Sequence, residues 1–208
     1  MNIDIRIFGV PERMERIREL QRQLNIPDGK VVIDNNHEGV IATAKKVWLL
    51  PTDKSHVMVL QDDVELCDGF TEICDKIVKT HPDVIFSALS CDFYNQSVFN
   101  RYGMPKNSPY ICVDNITAQC IIMPNQYIKP CINAWKDEIR GDDTNISYWA
   151  NHNNIKMFIS IPAIVQHVGV NSVFSPGKTW ELSDVYCKTP SANWETKYYN
   201  NFTNFIRR

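Results

Sequence analysis

The chain lacks most of the features that mark a specialised protein class. No apolar run approaches the ~20 residues of a bilayer-spanning helix. The N-terminus, Met1-Asn2-Ile3-Asp4-Ile5-Arg6, carries charges where a signal peptide needs an apolar core. The expectation is a cytoplasmic protein with no membrane span. Net charge is only −2, so no basic surface is advertised and nucleic acid is not an expected partner. The seven cysteines, at positions 67, 74, 91, 112, 120, 131 and 187, contain no Cys-x-x-Cys pair. They fit neither a disulfide framework nor a zinc knuckle, and in apolar runs they read as small core residues. Glycine is sparse where a phosphate cradle needs it. After the first strand stands Phe8-Gly9-Val10-Pro11-Glu12, which is neither Gly-x-Gly-x-x-Gly nor a lysine-bearing P-loop. That excludes a dinucleotide-type Rossmann enzyme and a P-loop kinase. Linkers, repeats and low-complexity segments are missing too, so residues 1–208 read as one domain.

What the chain does have is alternation of short apolar runs with amphipathic stretches. Ile3 to Val10 reads as a strand, and Pro11 is a good first helical residue. Met14, Ile17, Leu20 and Leu24 then recur at helical spacing. Val31-Val32-Ile33 is a second strand, followed by a helix marked by Val40, Ile41, Ala44, Val47 and Trp48. His56 to Gln61 is a third strand. Phe70, Ile73, Ile77 and Val78 mark a third helix, ending near His81-Pro82, and Val84 to Leu89 is a fourth strand. This order predicts an α/β fold with a mainly parallel central sheet flanked by helices. The second half is less regular, and mixed strands are expected there: 110–113, 118–123, 157–159 and 164–165. Helices are expected after Pro124 (with Tyr127, Ile128, Cys131 and Trp135 on one face) and after Gly141 (with Ile146, Trp149 and Ala150). Residues 91–110 read as a long loop, and Trp194, Tyr198, Phe202 and Phe205 as a helix packed on the domain.

The chemistry concentrates at Gln61-Asp62-Asp63, where a buried strand runs straight into two carboxylates. Ligands of open α/β sheets bind beyond the carboxyl ends of the strands. Adjacent carboxylates raise each other's pKa, and a divalent cation is a common resolution of an all-oxygen site. The plainer alternative is that one aspartate caps the turn while the other faces water.

Three constellations follow one another in order: Val31 to Asn36, Leu60 to Val64 with Gly69-Phe70 shortly after, and Gly141-Asp142-Asp143-Thr144 followed by Val165 to Gly169. Together they resemble the GT-A glycosyltransferases, the Rossmann-like, nucleotide-sugar-dependent enzymes with an acidic DxD motif, whose compact members occur in bacteria and large DNA viruses. Asp62-Asp63 is similar to the second and third places of that motif, and Gln61 stands where many members have an acid. The resemblance implies Asp63, with Asp62 and His167, as ligands of Mn²⁺ or Mg²⁺, and the histidine nitrogen favours Mn²⁺. It implies Asp62 as an alternative contact to ribose or sugar, and Asp34, Gly9, Val10 and Arg13 around the base and ribose. Lys178 would reach the diphosphate. Asp142 and Asp143 are the implied catalytic acids, with Asp143 the working acid and Asp142 the helix cap. Residues 1–90 would form the nucleotide-binding half, and 91–208 the acceptor side.

Each residue has an ordinary alternative: a turn cap for Asp34, a solvated helix residue for Arg13, a solvent-facing lysine for Lys178. For His167 it is a hydrogen-bonded histidine at a strand end, and for Asp142 and Asp143 a helix cap. The implied function is metal-dependent transfer of a sugar from a UDP-sugar donor to a glycan, protein-linked glycan or other hydroxyl acceptor. The rivals are a nucleotidyltransferase, which usually carries a basic Gly-rich loop that this chain lacks, and a non-catalytic nucleotide-sugar-binding domain.

Overall fold

The computed structural model describes residues 2–89, 110–136, 138–139, 141–161 and 163–168. Lys178, the 91–109 stretch, Cys91, Cys187 and the aromatic stripe from Trp194 to Phe205 lie outside the described residues. The protein is an α/β structure built on a seven-stranded mixed sheet in the order β2-β1-β3-β7-β5-β8-β6. The strands are β1 (Ile3–Gly9), β2 (Val31–Ile33), β3 (His56–Gln61), β5 (Ile85–Ser87), β6 (Tyr110–Val113), β7 (Cys120–Pro124) and β8 (Met157–Ser160). A separate pair, β4 (Val64–Leu66) with β9 (Val165–His167), forms a two-stranded antiparallel sheet.

Strands β1, β2, β3, β5 and β8 run one way, while β7 and β6 run against them. The fourth expected strand, β5, thus runs with β1, β2 and β3, but it is not the neighbour of β3. Strand β7 inserts antiparallel between β3 and β5, pairing Leu60 with Cys120 and Phe86 with Ile122. Two strands reach beyond the sequence expectation or fall short of it. Val64 to Leu66 forms β4, which was not anticipated, and the fourth strand shrinks from 84–89 to Ile85–Ser87.

The helices are α1 (Met14–Leu24), α2 (Val40–Trp48), α3 (Phe70–Thr80), α4 (Asn125–Asn133) and α5 (Asp142–His152). Among the described residues none is long and apolar enough to cross a membrane. Strand β3 explains the layering. Its side chains alternate between faces, yet both faces are covered, so it reads as a continuous apolar run. Val57 and Val59 pack with Ala44 and Val47 of α2, Ile128 and Cys131 of α4, and Ile146 and Ala150 of α5. Met58 and Leu60 pack with Ile17 and Leu20 of α1 and with Cys74 and Ile77 of α3. Trp135 lies just past α4 rather than on it and is still buried.

Strand β1 carries a charge that composition alone would place in water. Arg6 is fully buried. It donates through Nη1 to the Val47 and Trp48 carbonyls at 2.8 and 2.7 Å, through Nη2 to Leu50 O at 2.7 Å, and through Nε to Asp4 at 2.9 Å. These carbonyls cluster at and just beyond the C-terminal end of α2, where a cation also suits the helix dipole. Lys30 adds a second cation to Asp4 at 2.8 Å. Removing Arg6 takes a buried donor from those carbonyls and weakens the compensation of Asp4. Arg6→Ala is expected to cost about 3–5 kcal/mol, as for other broken buried pairs, in a denaturant titration. A loss under about 1 kcal/mol, the ordinary worth of a surface pair, would show that the network does not anchor α2.

Candidate functional site

The site is assembled where β1 and β3 end side by side. Phe8 pairs with Gln61, so the residues just beyond, Gly9-Val10 and Asp62-Asp63, leave the sheet as neighbours. Gly9 is required by space rather than by backbone angle. A Cβ there would lie 2.2 Å from Asp62 Oδ2 and 2.5 Å from Asp62 Cβ. The bare backbone lets Val10 N–H donate to Asp62 Oδ2 at 2.8 Å. Pro11 opens a 3-10 turn, Pro11–Arg13, which returns the chain over the carboxylates.

Arg13 closes the arrangement. One nitrogen, Nη1, lies 2.8 Å from Asp62 Oδ1 and 2.8 Å from Asp63 Oδ2. The like-charge problem posed by Asp62-Asp63 is thus answered first by a guanidinium, and the solvated reading of Arg13 is set aside. The Asp63 carboxylate also meets His167 Nε2 at 3.2 Å, while its Oδ1 is buried with no hydrogen-bond partner.

His167 arrives through the β4–β9 pair, the feature the sequence reading lacked. Val64 faces His167 in that register. Val168 N–H donates to Asp63 O at 2.9 Å, Cys67 N–H to Ile164 O at 3.1 Å, and Ile164 N–H to Ala88 O at 3.1 Å. The small sheet is therefore tied across the carboxyl edge of the large one. Its signal was present in Val64-Glu65-Leu66, an apolar-polar-apolar triplet, but three residues are too few for periodicity to decide.

The two aspartates differ in charge behaviour. Burial pushes the Asp62 carboxyl up, and Val10 N–H and Arg13 do not fully offset it. Burial also pushes Asp63 up, but His167 and Arg13 together outweigh it and hold that carboxyl below its ordinary value. Asp63 is therefore the firmer anion of the pair.

Other expected residues fall differently. Asp34 adjoins the site, its N–H donating to Gly9 O at 2.8 Å. Its carboxylate, however, accepts from Glu38 N at 2.8 Å and Gly39 N at 2.9 Å. It ties down its own loop, so the turn-cap alternative is the one observed for these oxygens. Nearby, His37 Nε2 and Glu12 Oε1 pair at 3.3 Å at the exposed mouth. Sequence reasoning also passed over Ser87 and Thr117, whose hydroxyls pair at 2.9 Å on the same edge. Two hydroxyls at the ends of apolar runs were the available hint.

Helix α5 leads into β8, which is parallel to β5. Its N-terminus, with Asp142 and Asp143, thus stands at the edge where β1, β3 and β5 end. The expectation that Asp142 caps the helix is not met. Gly141 is the N-cap residue, and no side chain caps there. Instead Asp143 Oδ1 accepts from Thr144 N at 2.6 Å and from Thr144 Oγ1 at 3.2 Å. Asp142 is buried, its Oδ2 without a partner, and burial with Asp143 alongside pushes its pKa up to about 8. Burial raises Asp143 as well.

Among the described residues no cluster of three or more His, Cys, Asp or Glu side chains is arranged to hold a metal ion unaided. A scan of the chain against protein-family models returns no match, and neither does a search of curated proteins.

Asp142 makes stability depend on pH in a defined direction. Its folded carboxyl keeps a proton up to about pH 8, whereas the unfolded chain releases it near ~4. Between those values the folded state binds more protons, so stability falls as pH rises, then levels off above the folded pKa. Asp142→Asn is expected to make that decline shallower, with Asp143 keeping a raised carboxyl of its own. Melting temperatures from pH 4 to 9 check it, and parallel wild-type and variant curves would mean that Asp142 is ionised when folded.

Proposed function

We propose that the protein is a GT-A-type glycosyltransferase that moves a sugar from a UDP-sugar to a hydroxyl acceptor, assisted by Mn²⁺. One observation carries this reading: the β3 carboxylates stand at the carboxyl edge of the sheet, and a distant strand delivers His167 onto Asp63. A purely structural turn needs no such convergence.

The residues suit a divalent cation. Asp63 Oδ1 is buried and has no hydrogen-bond partner, so it has lone pairs to offer. Asp63 and His167 would hold the ion from the protein side, a mixed oxygen and nitrogen set that suits Mn²⁺. Two protein ligands leave room for diphosphate oxygens. When bound, the cation neutralises charge on the departing diphosphate.

The chain's own groups do the rest. Gly9 and Val10 set Asp62 in place, Gly9 by leaving room for its carboxylate and Val10 through its N–H. Asp143, the less buried of its pair, takes the acceptor proton. Its raised pKa brings it nearer to neutral pH than an ordinary aspartate, as a general base requires. Asp142, buried and protonated, stands next to it as a neutral neighbour rather than a second base.

The competing reading is a non-catalytic domain, and the Arg13 bridge is the observation in its favour. A carboxylate pair neutralised by an arginine is stable without a metal. Calorimetry with UDP and turnover of UDP-sugars decide between the two. Asp63→Ala is expected to abolish Mn²⁺-dependent UDP binding in a protein that still folds; unchanged affinity would remove Asp63 from the site. Asp143→Asn is expected to bind UDP nearly as well as the wild type while transfer falls by roughly 10²–10⁴-fold, the usual worth of a general base. Wild-type turnover in that variant would shift support to the binding-domain reading.

A further inference from the structure

We infer that Arg13 is the resident counter-cation of the Asp62-Asp63 pair, and that a divalent cation enters as this guanidinium passes from the carboxylates to the donor diphosphate. The inference rests on the proposed nucleotide-sugar reading and adds to it a mode of loading.

The geometry singles out this residue. A single Nη1 is 2.8 Å from an oxygen of each carboxylate. It sits on Asp63 Oδ2, the oxygen that His167 Nε2 also faces at 3.2 Å, so an ion held between Asp63 and His167 needs the place the guanidinium fills. Arg13 and the metal are therefore alternative occupants. The contact is also replaceable. Asp62 keeps the Val10 N–H at 2.8 Å when the guanidinium leaves. Asp63 brings its unpartnered Oδ1 to the incoming ion, and His167 Nε2 gives up its contact with Asp63 to become the second protein ligand.

Arg13 is built to make the exchange. It lies at the junction of the 3-10 turn and α1, with its backbone outside helical geometry. Its side chain is mostly covered but not sealed, at 13% exposure. A long stem can re-aim the head without moving the backbone. The fork of a guanidinium matches two phosphate oxygens, whereas here one nitrogen serves both carboxylates. Metal and nucleotide then bind cooperatively, because each stabilises the state in which Arg13 has moved, and the coupling is reciprocal.

The test is Mn²⁺ titration of the full chain, alone and with UDP, for wild type, Arg13→Gln and Arg13→Lys. Wild type is expected to bind Mn²⁺ weakly alone and more tightly with UDP. Arg13→Gln is expected to bind Mn²⁺ alone about tenfold more tightly than wild type, within the usual range of coupling between sites. Mn²⁺ should raise its melting temperature, and UDP should add less. Arg13→Lys keeps a positive charge and so keeps the wild-type affinity for Mn²⁺ alone. It cannot fork onto phosphate, so its coupling to UDP shrinks.

Equal Mn²⁺ affinity in wild type and Arg13→Gln overturns the inference while Mn²⁺–UDP binding leaves the functional reading standing. If Arg13→Gln does not fold, undiminished coupling in Arg13→Lys overturns it. A wild type that binds no UDP in Mn²⁺ removes both.

Discussion

Two carboxylates are held side by side at the end of a buried strand, and the surroundings are arranged to make that tolerable. Burial pushes both Asp62 and Asp63 toward the neutral form. Three elements supply the compensation: Val10 N–H from the end of β1, the Arg13 guanidinium from the turn after it, and His167 from β9. Each depends on a local feature. Gly9 has no side chain to collide with Asp62. Pro11 starts the turn that brings Arg13 back. The β4–β9 ladder fixes His167 opposite Val64, one residue from Asp63. Removing a single partner leaves a buried charge undercompensated, which costs far more than the same change at the surface.

The sheet gives this cluster its place. Strands β1 and β3 are covered on both faces, so their carboxyl ends form the edge at which polar groups gather. Ser87 and Thr117 pair on that edge, and the N-terminus of α5 reaches it. A second polar network lies nearer the opposite edge, where Arg6, Asp4 and Lys30 hold the end of α2. The two serve different ends. Arg6 makes four tight contacts, three to carbonyls and one to Asp4. The Asp62-Asp63 cluster keeps one buried acceptor unengaged. A buried polar atom without a partner is costly.

Much of the fold was legible in the sequence because its signals are local. Met14, Ile17, Leu20 and Leu24 sit on α1, and Val40 to Trp48 is α2. Strand β3 ends at Gln61, one residue before the carboxylates. The insertion of β7 between β3 and β5 was not legible, since no local pattern records which strands pair across long separations. The site followed the same division. Asp62, Asp63 and His167 were nominated from their order in the chain; His167 does meet Asp63, and Asp62 is joined to Asp63 through Arg13. Arg13 was read as a contact near the base and ribose, with a solvated helix residue as the alternative, because nothing around Pro11-Glu12-Arg13 states that the turn folds back on Asp62. Asp34 binds its own loop instead of facing the edge freely. Asp142 was read as a cap from the preceding glycine, but Gly141 itself occupies the cap position and Asp142 is carried inward with α5.

The central claim is that Asp63 and His167 form the protein side of a cation–diphosphate site. Anomalous diffraction at the manganese edge, from crystals grown with UDP and Mn²⁺, addresses it most directly. The account predicts one manganese peak in contact with Asp63 and His167, with diphosphate density beside it and the Arg13 head turned from the carboxylates to phosphate. Nucleotide bound elsewhere, or Arg13 still bridging Asp62 and Asp63 with no manganese at His167, would contradict it.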